Sequence, residues 1–384
     1  MKILKRILIT VGIILGVFVL LVGGYLLVII LSYNRIGTID LEPNNRTSKE
    51  VVEVDQELSA VSYNIGFGAY SQDFTFFMDT GYDEEGKETC GTQSWGKNKE
   101  EINTNINGSI NTLKEINPDF MMIQEVDTNS TRSYGVNQRD IFTASFETSD
   151  FTFAVNFHTM FLPYPLYQMH GIVNGGLLTL SNYKIKQAKR VEYTVSSSLS
   201  KLFDLDRCFT ENTIDVENGK KLHIINSHLS AYDEGGLIRK QQFDELNAYL
   251  KSYKESGDYV IVGGDFNHDL LTNNPDFTYT ETYRPFGMTL KDPDWVSQLF
   301  DKDGNSPLES GFKVVASDNK PTCRNNDIEW IPEKTYVCVV DGFIVSENID
   351  VIEHYNVETK MGNKNVDGFA FSDHQPAFIK FKLL

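Results

Sequence analysis

Six short motifs place polar side chains directly beside apolar runs, and these side chains are of the types that hydrolytic enzymes use. The candidates are an amide at Asn64, a carboxylate at Glu125, an imidazole at His228, the pair Asp265 and Asn267, a carboxylate at Asp341, and the pair Asp373 and His374. Each has an ordinary structural explanation on its own, because carboxylates after strands are usually solvated and Gly-Gly-Asp usually marks a turn. Strand ends at one edge of a sheet converge, however, so the whole set indicates a site.

The chemistry that this set supports is metal-assisted hydrolysis of a phosphate ester. Mg²⁺ and Mn²⁺ prefer oxygen ligands, so Glu125, Asp373 and Asn64 form a suitable metal-binding group. Two histidines, His228 and His374, and the remaining carboxylates are then available for proton transfer.

The elements that must position these residues are short strands interleaved with two helices. A helix is predicted over Lys97–Ile116, where isoleucines recur at helical spacing before a proline, and another over Leu237–Leu250. The predicted strands are Leu58–Ile65, Asp119–Val126, Phe151–Phe157, Gly176–Leu180, Lys184–Tyr193, Phe209–Val216, Lys221–His228, Tyr259–Gly263, Val337–Val345 and Ala377–Lys382. Some strands form hairpins and others are separated by helices, which predicts mixed sheets covered by helices.

In this order, the motifs resemble those of the endonuclease/exonuclease/phosphatase superfamily. The resemblance covers residues 57–384 and is most specific at Gly264-Asp265-Phe266-Asn267 and Ser372-Asp373-His374. It implies an α/β fold in which two packed mixed β-sheets lie between outer helices, as a four-layered α/β/β/α sandwich. It also implies an active site at one edge of the sandwich.

The resemblance further implies a role for each candidate residue. Glu125 is similar to the principal metal ligand, with Asn64 and Asp373 in support, and the expected ion is Mg²⁺, with Mn²⁺ as an alternative. Asp265 resembles the carboxylate that orients or deprotonates the attacking water, and Asn267 the amide that holds a phosphate oxygen. His374, oriented by Asp341, resembles the histidine with a base or transition-state role, and His228 the one near the leaving group. Whether Asp265 or His374 is the general base stays open.

The length, composition and charge favour one large domain that is not a general nucleic-acid binder. The chain has 384 residues, is 41% hydrophobic and carries a formal charge of −18. The hydrophobic content allows a large core. The negative charge argues against non-specific binding of nucleic acid, which needs a densely cationic surface. An acidic enzyme that meets phosphate through a bound cation remains compatible with this charge.

The N-terminus reads as a membrane anchor. A basic tail, residues 1–6, precedes 27 uncharged and mostly apolar residues, 7–33, and residues 34–56 are polar and predicted to be a linker. As a helix, the apolar run spans roughly 40 Å, which is enough to cross a bilayer. It is too long for the core of a typical signal peptide. Three basic residues before the run and one after it, Arg35, predict a single-pass cell-membrane protein with a cytoplasmic N-terminus and an extracytoplasmic catalytic domain.

Several regions have more than one interpretation. Cys90, Cys208, Cys323 and Cys338 admit three disulfide pairings, and their spacing argues against zinc. Arg207 is interpreted either as a phosphate contact or as a surface or salt-bridge residue. The insert 66–96 is interpreted either as a functional loop that covers the substrate cleft or as a disordered loop, and the aromatic stretch 156–176 either lines a substrate pocket or packs internally.

The sequence thus predicts a membrane-bound, Mg²⁺-dependent phosphoesterase. Its substrate is a lipid head group, a nucleic acid or a small phosphate ester, and an extracellular nuclease is the main alternative. A catalytically silent binding domain is disfavoured because Glu125, Asp265 and His374 are all present. The sequence does not indicate an oligomeric state.

Overall fold

The structure is a computed structural model, and its elements follow the predicted order. It describes residues 2–32, 34–47, 49–83, 85–196, 206–231, 234–271, 297–298, 305–332, 334–361 and 367–384. Its helices are α1 (Lys2–Ser32), α2 (Lys99–Ile116), α3 (Gln138–Ser145) and α4 (Leu237–Lys254). Its strands are β1 (Ile39–Leu41), β2 (Leu58–Asn64), β3 (Thr80–Tyr82), β4 (Glu88–Cys90), β5 (Phe120–Asp127), β6 (Asp150–Leu162), β7 (Gly171–Ser181), β8 (Ile185–Glu192), β9 (Cys208–Asp215), β10 (Lys221–His228), β11 (Tyr259–Asp265), β12 (His268–Asp269), β13 (Ser297–Gln298), β14 (Phe312–Val315), β15 (Cys323–Arg324), β16 (Val337–Cys338), β17 (Asp341–Ser346), β18 (Ile349–Asn356) and β19 (Ala377–Leu383).

Two large mixed sheets form the centre of the fold. One sheet has the order β1-β8-β9-β10-β11-β17-β14, and the other has the order β18-β19-β2-β5-β7-β6. In each of them one neighbouring pair is parallel, β10 with β11 and β2 with β5, and the remaining pairs are antiparallel. Each parallel pair is joined through a helix, α4 in the first sheet and α2 in the second. The mixed sheets that the sequence predicts are therefore confirmed.

Alternating side chains on the central strands fill both faces of the sheets. In β5, Phe120 and Met122 belong to a core between the two sheets, whereas Met121 and Ile123 face a second core under α2. This period of two, with both sides apolar, is the pattern of a strand that is buried on both faces. The residue types of these strands thus determine a sandwich with helices outside.

The outer layers pack on these two faces as amphipathic helices. Helix α2 buries Ile102, Ile106 and Ile110 against the six-stranded sheet, and α4 buries Phe243 and Leu246 against the seven-stranded sheet. The spacing of three or four residues places these side chains on one face of each helix. The predicted four-layered α/β/β/α sandwich is confirmed.

Helix α1 is long and apolar, as predicted. Within Lys2–Leu31, the most apolar 18-residue window has a mean hydropathy of 3.0 and is 6% buried, and by length and composition the helix could cross a membrane. It is the one such helix in the part of the chain that the structure describes. A membrane anchor and a signal sequence both meet this criterion.

The segment predicted to be a linker is packed against the domain. Its strand β1 pairs with β8 at the sheet edge, and Val52 lies fully buried in the core between the sheets. At the end of α1, Arg35 forms an ion pair of 2.8 Å with Asp206 and donates to the Tyr193 carbonyl oxygen. The composition of this polar segment predicts a flexible linker. In the structure, backbone pairing with β8 and the buried Val52 side chain attach it to the domain.

The predicted strand Val337–Val345 is two strands in the structure. Val337 and Cys338 form β16 in a small hairpin with β15, and Asp341 begins β17 in the seven-stranded sheet. The break separates the two at 339–340 and brings Asp341 to the sheet edge. The sequence analysis also missed β14 and β18, which are the end strands of their sheets.

Candidate active site

The polar motifs meet at one edge of the sandwich because of the strand directions. In the parallel pair β10 and β11, His228 lies beside Asp265, and in the parallel pair β2 and β5, Asn64 lies beside Gln124. The antiparallel strand β17 begins at this edge, so that Asp341 lies beside Asp265 on the other side. The candidate residues are therefore brought together by strand register.

Glu125 reaches the cleft through a β-bulge. The pairing of β5 with β7 shifts register between Ile123 and Val126, and Glu125 has a positive φ of 57°. This left-handed conformation is uncommon for a residue other than glycine, and bulges at sheet edges re-aim a side chain. The Glu125 carboxylate is 26% exposed, and Asn64 Nδ2 donates to Glu125 Oε1 at 3.4 Å.

Asp265 is at the centre of the cluster. Its Oδ2 accepts from Asn64 Nδ2 at 3.0 Å and lies 3.3 Å from His228 Nε2 and 3.7 Å from His374 Nε2. Burial favours the neutral acid, but the two histidines and the Asn64 amide outweigh it and lower the pKa of Asp265. Asp265 is therefore an anionic carboxylate between two imidazole rings.

Asp341 orients His374. The Nδ1 of His374 lies 2.8 Å from Asp341 Oδ2, and both side chains are buried. Although burial opposes protonation, Asp341 and Asp265 raise the pKa of His374 well above its ordinary value. With Nδ1 held in this way, Nε2 is the ring nitrogen that faces Asp265, and it also lies 3.5 Å from Cys323 Sγ.

Asp373 has a partner that the sequence analysis missed. Asn326 Nδ2 donates to Asp373 Oδ2 at 2.9 Å and to Asp79 Oδ2 at 3.0 Å. Burial and the nearby Glu125 charge raise the pKa of Asp373 to about 6, although His374 opposes this shift. Asn326 lies in the polar run 325–327, which was the only signal for it, and Asp79 belongs to the insert 66–96. The insert therefore contacts the site through the Asp79 carboxylate and, at its first residue, through the Gly66 N–H, which donates to Asn64 Oδ1 at 3.0 Å.

Two other residues with predicted roles are buried: Asn267, predicted to hold a phosphate oxygen, and Arg207, predicted to be either a phosphate contact or a surface or salt-bridge residue. Asn267 follows Asp265 in the left-handed region, donates its backbone N–H to Asp265 Oδ1 at 2.9 Å, and donates from Nδ2 to the Leu229 carbonyl at 2.8 Å. Its amide is therefore engaged inside the protein. Arg207 is 3% exposed, which excludes a surface role. Burial and the Arg207 charge lower the pKa of His228.

The donor set at this edge fits a divalent cation. Burial is the main cause of the raised pKa of Asp373 and the Glu125 charge adds to it, so a divalent cation held by these two carboxylates would offset their negative charge. Asp265, Asp341 and His374 also offer ligand atoms within 4.8 Å of one another. However, Asp341 and His374 already bind each other and are more buried than Glu125, so we favour the Glu125 side of the cleft.

The four cysteines are free in the structure, with Cys90 exposed and the others buried. Cys323 and Cys338 lie directly opposite each other on β15 and β16. The structure thus places two of the four cysteines side by side without a disulfide between them.

A four-layered sandwich with a carboxylate and histidine cluster at one edge defines a class of phosphate-ester hydrolases. The chain belongs to the Endonuclease/Exonuclease/phosphatase family, whose sequence model matches residues 62–374. Members of this family are hydrolases that act on phosphate esters and generally use divalent metal ions. The predicted family, and with it the coarse class of reaction, is therefore confirmed.

Comparison with individual proteins agrees with this assignment. Sphingomyelinase C of Leptospira interrogans is 28% identical over 210 residues, which cover 50% of this chain and 36% of that protein. Thus the match spans about a third of the relative's length. In structure, the chain is similar to D. rerio TDP2 complexed with single strand DNA product, with a TM-score of 0.50, 14% identity, and coverage of 85% of this chain and 100% of that one.

A second structural relative is ANGEL2, a 2′,3′-cyclic phosphatase, in complex with adenosine-2′,3′-vanadate. It has a TM-score of 0.51 and 16% identity, with coverage of 90% of this chain and 99% of that one. At such identities these two structures show a shared fold.

Proposed function

We propose that this protein is a Mg²⁺-dependent phosphodiesterase that acts on phosphate esters at a membrane surface. The convergence of Glu125, Asp265 and His374 at one edge is the observation that carries the proposal. Their side chains are linked through Asn64, His228 and Asp341 over distances of 2.8 to 4.0 Å. No simple structural need explains so many buried ionisable groups in one cleft.

In this proposal the metal is held by Glu125 and Asp373, with support from Asn64. The side-chain oxygen Oδ1 of Asn64 accepts one hydrogen bond, from the Gly66 N–H at 3.0 Å, and keeps a second lone pair. When bound, Mg²⁺ would neutralise charge on the phosphoryl oxygens of the ester. Mn²⁺ has the same preference for oxygen ligands and is expected to substitute for it.

The protein's own groups then orient the water and stabilise the charge that develops. Asp265 is anionic and accepts hydrogen bonds, so it orients the attacking water. His374, fixed by Asp341, presents Nε2 to a phosphoryl oxygen, and His228 lies on the other side of Asp265, near the leaving group. These donors are preorganised and buried, and burial strengthens their electrostatic effect.

A lipid head group is the substrate class that we favour. The apolar helix α1 brings the domain to a bilayer, and the relative with 28% identity is a sphingomyelinase. We also propose that α1 is a retained anchor with the catalytic domain outside. Three basic residues precede its apolar run, and Arg35 beyond it is bound to the domain.

The test uses the full chain in phosphatidylcholine nanodiscs with a panel of phosphate esters. Sphingomyelin, phosphatidylinositol, plasmid DNA, RNA and a soluble nitrophenyl phosphodiester are compared with Mg²⁺ and with EDTA. We expect hydrolysis that EDTA abolishes and Mg²⁺ restores, and that Glu125→Gln removes. Glu57→Gln is the matched control, because Glu57 forms a surface ion pair with Lys380. Activity that survives both EDTA and Glu125→Gln would refute the proposed mechanism, and hydrolysis of nucleic acid alone would replace the substrate class.

A further inference from the structure

The hairpin between β6 and β7 carries an exposed apolar tip. Leu166 is 77% exposed and Tyr167 69% exposed, and they belong to a group of exposed side chains made of Met160, Phe161, Tyr164, Leu166, Tyr167 and Met169. We call residues 160–169 the hairpin tip. Between Asp150 and Lys184 the sequence has no Asp, Glu, Lys or Arg. Contiguous apolar surface of this kind marks a site of interaction.

Hydrogen bonds to the insert 66–96 fix the conformation of the hairpin tip, so its side chains are exposed in an ordered structure. Tyr167 Oη donates to the Thr92 carbonyl at 2.9 Å, and Trp95 Nε1 donates to the Met169 carbonyl at 2.7 Å. The Ser94 N–H donates to Gln168 Oε1 at 2.8 Å. The insert 66–96 therefore supports the hairpin tip, whose polar atoms are bonded while its apolar surface faces outward.

The strand register places the hairpin tip beyond the catalytic edge. Strand β5 ends at Asp127, which pairs with Gly175 of β7. The β6–β7 ladder continues past that point to the pair formed by Leu162 and Gly171. Since Glu125 is two residues from the end of β5, the hairpin tip projects on the same side of the sandwich as the candidate active site.

Helix α1 lies against the same hairpin. Tyr25 Oη donates to the Phe161 carbonyl at 2.7 Å, and Ile29 of α1 is 3% exposed. The apolar surface of the hairpin tip is therefore continuous with the helix that is apolar enough to cross a membrane. Since α1 is the proposed membrane anchor, this continuity points to a bilayer as the occupant, because a surface joined to such a helix meets the lipid interface.

We propose that the hairpin tip docks into the interface of the phospholipid bilayer and turns the catalytic edge toward the lipid head groups. Tyrosine and other aromatic side chains are favoured at this depth because their rings are apolar and their polar ends remain hydrated. The docking surface deepens the proposed function, since it selects esters that are embedded in the bilayer. Its physical test is nevertheless independent of any activity.

The first experiment measures contact with lipid. Leu166→Cys, in a Cys90→Ser background, is labelled with a nitrobenzoxadiazole dye in the full chain in phosphatidylcholine nanodiscs. Ile352→Cys is the matched control, because Ile352 is an exposed apolar residue, 43% exposed, on β18. We expect lipids with a shallow nitroxide to quench the dye at 166 by about half and to leave the dye at 352 unchanged, as for a residue at the head-group boundary. Equal quenching at both positions would overturn the proposal. Loss of the quenching at 166 when more protein is loaded per nanodisc would also overturn it, because the hairpin tip would then contact a second copy of the protein.

The second experiment uses activity and rests on the proposed function. Leu166→Glu with Tyr167→Glu should lower the rate on a bilayer-embedded phosphodiester by about tenfold, because charged groups disfavour interfacial docking. The rate on a soluble nitrophenyl phosphodiester should stay unchanged, as should both rates for Ile352→Glu. An equal loss on both substrates would show that the hairpin tip lines the substrate pocket and would overturn the docking role. If no ester is hydrolysed by the unmodified chain, the proposed function fails while the quenching result still decides the docking surface.

Discussion

The pair formed by Asp341 and His374 gives the most direct test of the site. We consider Asp341→Asn, which keeps the shape of the side chain and removes its charge. In the structure Asp341 Oδ2 lies 2.8 Å from His374 Nδ1 in a buried setting. A buried hydrogen bond to a charged partner contributes about 1.5–3 kcal/mol. If His374 is charged in the transition state, this loss lowers kcat roughly 10- to 150-fold.

The assay compares kcat and KM on the soluble phosphodiester at saturating Mg²⁺. Because Asp341 acts through His374, the double variant Asp341→Asn with His374→Ala should be no slower than His374→Ala alone. KM should change little, since neither residue is proposed to hold the ground-state substrate.

A matched control is available on the same sheet. Glu211 and His223 form another buried carboxylate–histidine pair, 2.7 Å apart, on β9 and β10. His223 precedes His228 by five residues, which places it about 17 Å away along the strand. Glu211→Gln therefore changes a similar contact outside the cleft and should preserve kcat. If Asp341→Asn preserves kcat and only lowers the melting temperature, as a structural pair would, the orienting role of Asp341 is refuted.

Three further predictions follow, two on residues around the site and one on the distant Glu211–His223 pair. Gly264→Ala should lower kcat by more than tenfold, because its Cβ would lie 2.3 Å from the Ser227 carbonyl oxygen and push apart the strands that carry the site; kinetics beside a thermal melt separate this effect from unfolding. Asn326→Ala removes a hydrogen bond of 2.9 Å to Asp373 and should weaken Mg²⁺ binding about tenfold, as measured by Mg²⁺ titration of activity. Burial raises the pKa of Glu211, but hydrogen bonds from neighbouring side chains outweigh this effect and lower the pKa from 4.5 to about 2. Its stabilisation, about 3 kcal/mol, is therefore present above pH 4.5 and lost as the pH falls toward 2. Denaturation by urea in detergent should show less acid sensitivity for Glu211→Gln, and an unchanged pH profile would contradict this assignment.

The central strands and the gathering of the site residues could be predicted from the sequence because the apolar pattern is strong there. Strand β5 is buried on both faces, so its apolar run is continuous and its end near Glu125 is evident. The parallel pair in each sheet then sets the position of one residue whatever the details of the loops. Asn64 lies beside Gln124 in one sheet, and His228 lies beside Asp265 in the other. The family, and with it the four-layered fold, could be inferred from the order of the polar motifs, above all Gly264-Asp265-Phe266-Asn267 and Ser372-Asp373-His374.

The parts that could not be predicted depend on long-range contacts. Asn326 meets Asp373 across 47 residues of sequence, and no periodicity reports such a contact. Strand β18 is an end strand with mostly exposed or half-exposed side chains, so it lacks the apolar alternation of a core strand. The packing of residues 34–56 likewise depends on β8 and on Asp206, which are far along the chain.

The packed connection after α1 has a consequence for how such an enzyme meets its substrate. If α1 is the proposed membrane anchor, the proposed catalytic domain stays close to the bilayer, because Arg35 and β1 hold the chain after the helix against the sheet. A domain held in this way stays at a fixed height above the bilayer. It would therefore meet its lipid substrate by lateral diffusion in the plane of the membrane. Diluting the target ester with inert lipid should then slow turnover in proportion, whereas changing the total amount of vesicles at a fixed mole fraction should have little effect.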